Sequence, residues 1–123
     1  MPAPKLLYGL IDEQAVAVLA AISALEKATR RQIQLLLGAT SGKMPHPDTL
    51  NLRLRNLLEA GLVSATRKKR YFLTSRGKDA LIKLHELGDV IGGRNNAVSA
   101  VVQSVYDTYD QIRKGELLLT TRR

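Results

Sequence analysis

The 123-residue chain has no cysteine and no tryptophan. The first absence excludes a disulfide framework and any cysteine-ligated zinc site, and it suits a reducing compartment. With one Phe and four Tyr, the core must be aliphatic. Proteins that grip single-stranded nucleic acid stack its bases on aromatic side chains. Here Tyr71 is expected in the core, and Tyr106 and Tyr109 lie outside the basic region. Long apolar runs are also missing. The longest, Ala15 to Ile22, has eight residues, against the ~18 that a membrane span needs. Asp12 and Glu13 stand directly before it, where a signal peptide wants positive charge. The run reads as a buried helix of a cytoplasmic protein with no membrane partner.

Catalytic groups are equally sparse. The two histidines, His46 and His85, are isolated from each other and read as surface residues. No nucleophile stands with a base, and no carboxylates converge by spacing. The stretch "GATSG" from Gly38 to Gly42 lacks the Lys-Ser/Thr ending of a phosphate-cradling loop. The expectation is a protein that is not an enzyme and holds no metal or cofactor.

Acidic residues are scarce in one third of the chain. From Lys43 to Lys83 there are ten Lys/Arg against three acids (Asp48, Glu59 and Asp79), a net of +7 out of +8 for the whole molecule. Charge this one-sided favours a polyanionic partner.

Periodicity and capping signals predict mainly α structure with a small β-hairpin. Residues 1–11 read as an N-terminal arm. Helix 1 spans about 12–26, with Asp12 as its cap and Val18, Leu19, Ile22 and Leu25 at helical spacing. Thr29 and Gln32 form a capping box for helix 2, whose buried stripe is Ile33, Leu36 and Leu37 and whose end is Gly38. A loop from Ala39 to His46 leads to helix 3, which starts at Pro47 and stops near Ala60, with Gly61 as the C-terminal cap. Its core face is Leu50, Leu54, Leu57 and Leu58. Leu62–Thr66 and Arg70–Leu73 form a hairpin around Arg67-Lys68-Lys69. Thr74 or Ser75 caps helix 4, which runs to Ile91 with Leu81, Leu84 and Leu87 on one side. Gly92-Gly93 breaks it, and Asn95 or Asn96 caps helix 5 over about 97–114. Residues 116–123 form a tail.

Three helices followed by a hairpin is a known order. The segments "LLEAGLV" (Leu57 to Val63) and "YFLTSRG" (Tyr71 to Gly77) make residues 12–91 resemble winged helix-turn-helix regulators of the MarR and PadR groups. The element order is also similar to archaeal winged-helix chromatin proteins with a C-terminal coiled coil. The resemblance implies a DNA-binding domain over 12–91, with the amino-terminal half of helix 3 in the major groove and the hairpin as a wing.

The residues themselves support a contact set. Outside the core face of helix 3 lie Thr49, Asn51, Leu52, Arg53, Arg55 and Asn56. Asn suits adenine and Arg suits guanine, and Leu52 either meets a thymine methyl or is simply exposed. Arg30 and Arg31 oppose the dipole of helix 2, a cost of ~0.3–1 kcal/mol each when exposed. Phosphate contact would offset it, although two solvated arginines are also tolerable. Arg67, Lys68, Lys69 and Arg70 repel one another in a tight turn. A lysine at a sheet edge blocks aggregation, which accounts for one or two charges more readily than four. Lys43 completes the basic set.

Helix 5, within 94–115, carries Val98, Val101, Val102, Val105, Tyr109 and Ile112 at heptad-like spacing. Helices 1–4 already supply a core, so this stripe is expected to be a dimerisation face. The leading expectation is a sequence-specific regulator of transcription, acting as a repressor on double-stranded DNA as a homodimer in the cytoplasm, associated with the nucleoid. Two alternatives stay open: a chromatin or plasmid-partition protein that coats DNA, and a protein-interaction winged helix.

Overall fold

A computed structural model describes residues 13–91 and 94–115. The N-terminal arm with the Asp12 cap, the Gly92-Gly93 break and the tail 116–123 lie outside the described residues, as do the side chains of Leu84, His85, Leu87, Asn95, Asn96 and Val98.

The elements in order are α1 (Glu13–Leu25), α2 (Arg30–Ser41), α3 (Pro47–Glu59), β1 (Val63–Ala65), β2 (Tyr71–Leu73), α4 (Ser75–Ile91) and α5 (Arg94–Arg113). The molecule is mainly helical with one antiparallel two-stranded sheet, paired Val63 with Leu73 and Ala65 with Tyr71. Three helices, a hairpin and further helices form an order compatible with a winged-helix arrangement.

The local signals decide most boundaries. At α2, the Thr29 hydroxyl accepts from the Gln32 N–H at 3.2 Å, and Gln32 Oε1 accepts from the Thr29 N–H at 3.0 Å. Two backbone donors at this helix start are thereby satisfied reciprocally. α2 does not stop at Gly38. It runs one turn further to Ser41 and ends at Gly42, whose φ of 80° is left-handed. Gly38 instead gives room for the following loop, because a Cβ there would sit 3.3 Å from Met44. At the start of α4, Thr74 Oγ1 accepts from the Gly77 N–H at 3.0 Å and donates to the Gly61 carbonyl at 2.7 Å. One hydroxyl therefore caps a helix and ties it to the end of α3.

One cluster fills the interior. α1 is its centre: Val16, Val18, Leu19 and Ile22 are all but inaccessible. α2 adds Ile33, Leu36 and Leu37, α3 adds Leu50, Leu54 and Leu57, and the hairpin adds Leu62, Val63 and Leu73. The connector between α1 and α2 also joins the sheet, since Ala28 and Tyr71 exchange both backbone hydrogen bonds, at 2.9 and 2.7 Å. This bridge covers part of β2's outer edge and fixes the hairpin to the helices.

α5 departs from expectation at its start and in its packing: it begins at Arg94, so Asn95 and Asn96 lie within it and do not precede it as caps. It packs against α1, α2 and α4, and Val102 and Val105 are 2% and 0% exposed within a single chain. Val101, Tyr109 and Ile112 are partly buried against the same cluster. Of the stripe expected to join two copies, the five described side chains belong to the chain's own core or pack on it. Tyr106, between its turns, donates to Ser23 of α1 at 3.0 Å. Among the described side chains, the outward side of α5 carries Ala100, Gln103, Ser104, Asp107 and Gln111, which form no apolar seam. The reason is geometric. A stripe at helical spacing marks a face that must be buried, but it does not name the surface that buries it.

Candidate nucleic-acid interface

α3 has one face turned inward and one left in solvent. Leu50, Leu54 and Leu57 are each 1% exposed. On the other side Asp48, Thr49, Asn51, Leu52 and Arg55 are exposed. Pro47 takes the first helical position, and the cap before it is His46, whose Nδ1 accepts from the Asp48 N–H at 3.1 Å. The Asp48 carboxylate sits in the first turn, where the helix dipole favours an acid.

The flanking positions are less open. Arg53 is half-buried, and its guanidinium donates to the side chain of Gln14 on α1. It braces α3 against α1 instead of standing beside Arg55. Asn56 is half-buried too. Lys43 is exposed in the loop before α3. With Thr49 and Arg53 it borders a groove of about 760 Å³ between α1, the end of α2, the start of α3 and α5. Apolar residues such as Ala17, Leu37 and Val101 line most of that groove, and no acid does.

Arg30 and Arg31 converge on one acceptor. Their Nη1 atoms stand 3.5 and 3.4 Å from Gln34 Oε1. Gln34 is 3% exposed, and its Nε2 donates to the Pro45 carbonyl at 2.9 Å. A single buried amide thus gathers two cations at the start of α2 and holds the loop that leads into α3. Burying such an amide is tolerable because its polar atoms find partners. The structure brings Arg30 and Arg31 together, while leaving Arg31 exposed and Arg30 half-buried.

The hairpin tip is tight. The Lys69 N–H donates to the Thr66 carbonyl at 3.0 Å, the Thr66 N–H to the Arg70 carbonyl at 2.8 Å, and the Arg70 N–H to Thr66 Oγ1 at 3.2 Å. This is the three-residue hairpin pattern, a turn followed by a left-handed residue. That residue is Lys69, with φ 61°. Glycine or asparagine is usual there, and a bulky side chain costs roughly 1–2 kcal/mol. Arg67, Lys68, Lys69 and Arg70 are all exposed. Among the described residues, none of the four has an acidic partner within ion-pair distance, and neither does Arg55.

Compared with known proteins, the chain matches no family profile, no curated protein and no solved structure. Among the described residues, no three His, Asp or Glu side chains gather as a metal site would require, and no helix is long and apolar enough to cross a membrane.

Four features escaped sequence reasoning: the Gln34 amide, the His46 cap, the Arg53–Gln14 brace and the left-handed Lys69. Gln34 left a trace, as a polar residue directly beside the buried Ile33. His46 did as well, because it precedes a proline at a helix start. The other two depend on tertiary partners or on turn geometry that the sequence does not advertise.

Proposed function

We propose that the chain is a winged helix-turn-helix protein that binds double-stranded DNA and acts as a sequence-specific transcriptional regulator, a repressor. In this reading α2 and α3 form the helix-turn-helix pair and the β1–β2 hairpin is the wing. The observation that carries it is the hairpin tip. Four exposed cations, without acidic partners among the described residues, crowd one short turn, and Lys69 stands in a backbone conformation that disfavours it. A turn selected for stability alone would place glycine there and spread the charge. A turn selected for a polyanion would keep the lysine.

Phosphates would be met by the wing, by Lys43 and by Arg31 at the start of α2, where the first helix of such a pair crosses the DNA backbone. Base edges would be met by Thr49, Asn51 and Arg55, the exposed polar residues of α3. Arg53 would act behind them by holding α3 against α1. Because Val102 and Val105 are core residues, the proposal needs no dimer through α5. Repression requires only that the bound protein occlude a promoter, and a nucleoid location in the cytoplasm follows from the ligand.

Binding titrations of the full chain on DNA flanking its own gene and on random duplex of equal length test this reading. The expected result is tighter binding to one flanking fragment by at least about a thousandfold, the lower range for specific sites. Equal affinity for both would turn the reading to a coating protein. No binding to either would leave protein interaction as the role of the domain.

A further inference from the structure

Among the described residues, Leu52 takes no part in the core. It is 51% exposed on α3, and it is absent from the side chains packed on the core. Its neighbours on the open face are polar: Asp48 one turn before it, Asn51 beside it and Arg55 in the next turn. An isolated surface leucine is ordinary in itself. This one stands in the middle of the face that the proposed function assigns to base contacts, and the inference rests on that assignment.

The major groove offers very little that a leucine can use. Guanine presents acceptors, cytosine a donor, and adenine one of each. The C5-methyl of thymine is the one methyl group on an unmodified base edge, and the largest apolar surface the groove presents. A leucine held against a donor or an acceptor would strip that group of water and give nothing back. Against a methyl it would bury apolar surface on both sides. Phosphates are no alternative, since the isobutyl group carries neither charge nor donor.

We infer that Leu52 reads the C5-methyl group of a thymine, so that the site recognised by α3 contains one thymine whose methyl, more than its hydrogen-bonding edge, is the determinant. Asn51 and Arg55 then read bases to either side by hydrogen bonds, and Leu52 fixes the register between them. Cytosine methylated at C5 carries the same apolar group, so a methylated cytosine at that position would regain part of the contact that plain cytosine loses.

Replacing thymine by deoxyuridine removes the methyl and leaves every hydrogen-bonding group in place. The best duplex selected from a random pool would be remade with deoxyuridine at each thymine in turn and titrated with the parent and with Leu52→Ala. Alanine keeps the helix, and the exposed position leaves the core untouched. The parent is expected to lose about three- to fivefold at one thymine for each α3 bound, the scale of burying a single methyl. Leu52→Ala is expected to bind the thymine duplex as weakly as the parent binds the deoxyuridine one, and to show no difference between them. A parent indifferent to the methyl at every position, or a Leu52→Ala variant that keeps the parent's penalty, overturns the inference while leaving DNA binding intact. A parent that binds no duplex overturns both.

Discussion

α5 and the hairpin tip were both expected to face outward, one toward a second copy and the other toward DNA. Only the tip does. Val105 is inaccessible inside one chain, whereas Arg67 to Arg70 are exposed. The two regions differ in the kind of signal they carry. A run of charges declares solvent exposure outright, because four unpaired cations cannot be buried at any tolerable cost. An apolar stripe declares only that something covers it. On α5 the cover is α1, α2 and α4, and the apolar surface expected to join two molecules holds one together.

The strongest challenge to this contrast is Val105→Asp. If Val105 belongs to the core, an unpaired carboxylate there costs roughly 3–5 kcal/mol or more, a large share of a small domain's stability. Circular dichroism and thermal melts should show a melting temperature lowered by roughly 10–30 °C. A folded variant that changed only in sedimentation would restore α5 to an interface. Gln103→Asp, on the exposed side of α5, loses a hydrogen bond to Asp107 and sets two carboxylates one turn apart, so it should lower the melting temperature only slightly.

The tip can be tested in two steps. Replacing Lys68 and Lys69 together by alanine should weaken binding to all duplex sequences to a similar degree, because phosphates carry no sequence. Two lost phosphate contacts should flatten the salt dependence by about two in log–log slope. Unequal losses on specific and random DNA would mean that the wing reads bases.

Lys69→Gly separates stability from function at one residue. Relief of the left-handed backbone should stabilise the fold by about 1 kcal/mol, read as a higher melting temperature. Loss of the charge should lower duplex affinity in the same variant. A gain in stability with unchanged affinity would show that the lysine is merely tolerated at the turn.

The smallest effect lies at the end of α5. A hydrogen bond from Lys114, then that ammonium's charge, with Arg113 beside it, holds the Asp110 carboxyl below its ordinary value of 3.8. The folded value is the lower one, so the contribution is present at neutral pH and fades as acid protonates the folded form. Asp110 is exposed, and Asp110→Asn should therefore shift the melting temperature slightly at neutral pH and not at all in strong acid.

What the sequence disclosed was local. The capping box of Thr29 and Gln32, the left-handed Gly61 and the Thr74 cap each join residues within a few positions, and each stands as read. The aliphatic core faces of α1, α2 and α3 were equally legible, since period and burial coincide. The failures were tertiary. Gln34 reaches Pro45 eleven residues away, and Arg53 reaches Gln14 thirty-nine residues away. No spacing rule foretells either. Gly38 looked like a helix end because glycine costs a helix ~1 kcal/mol, and the close packing of Met44 overrides that preference. α3 was legible as a polar face but not as a graded one, because only tertiary packing, such as that of Arg53 on Gln14 of α1, leaves Arg53 and Asn56 half-buried.

The account turns on whether the basic third of the chain meets duplex DNA through its charges. The direct measurement is the duplex dissociation constant of the parent across a series of salt concentrations. A protomer that neutralises ~4 phosphates with the wing, Lys43 and Arg31 should give log K against log salt a slope of about −3 to −4. A slope near zero, or no duplex binding at low salt, would contradict it.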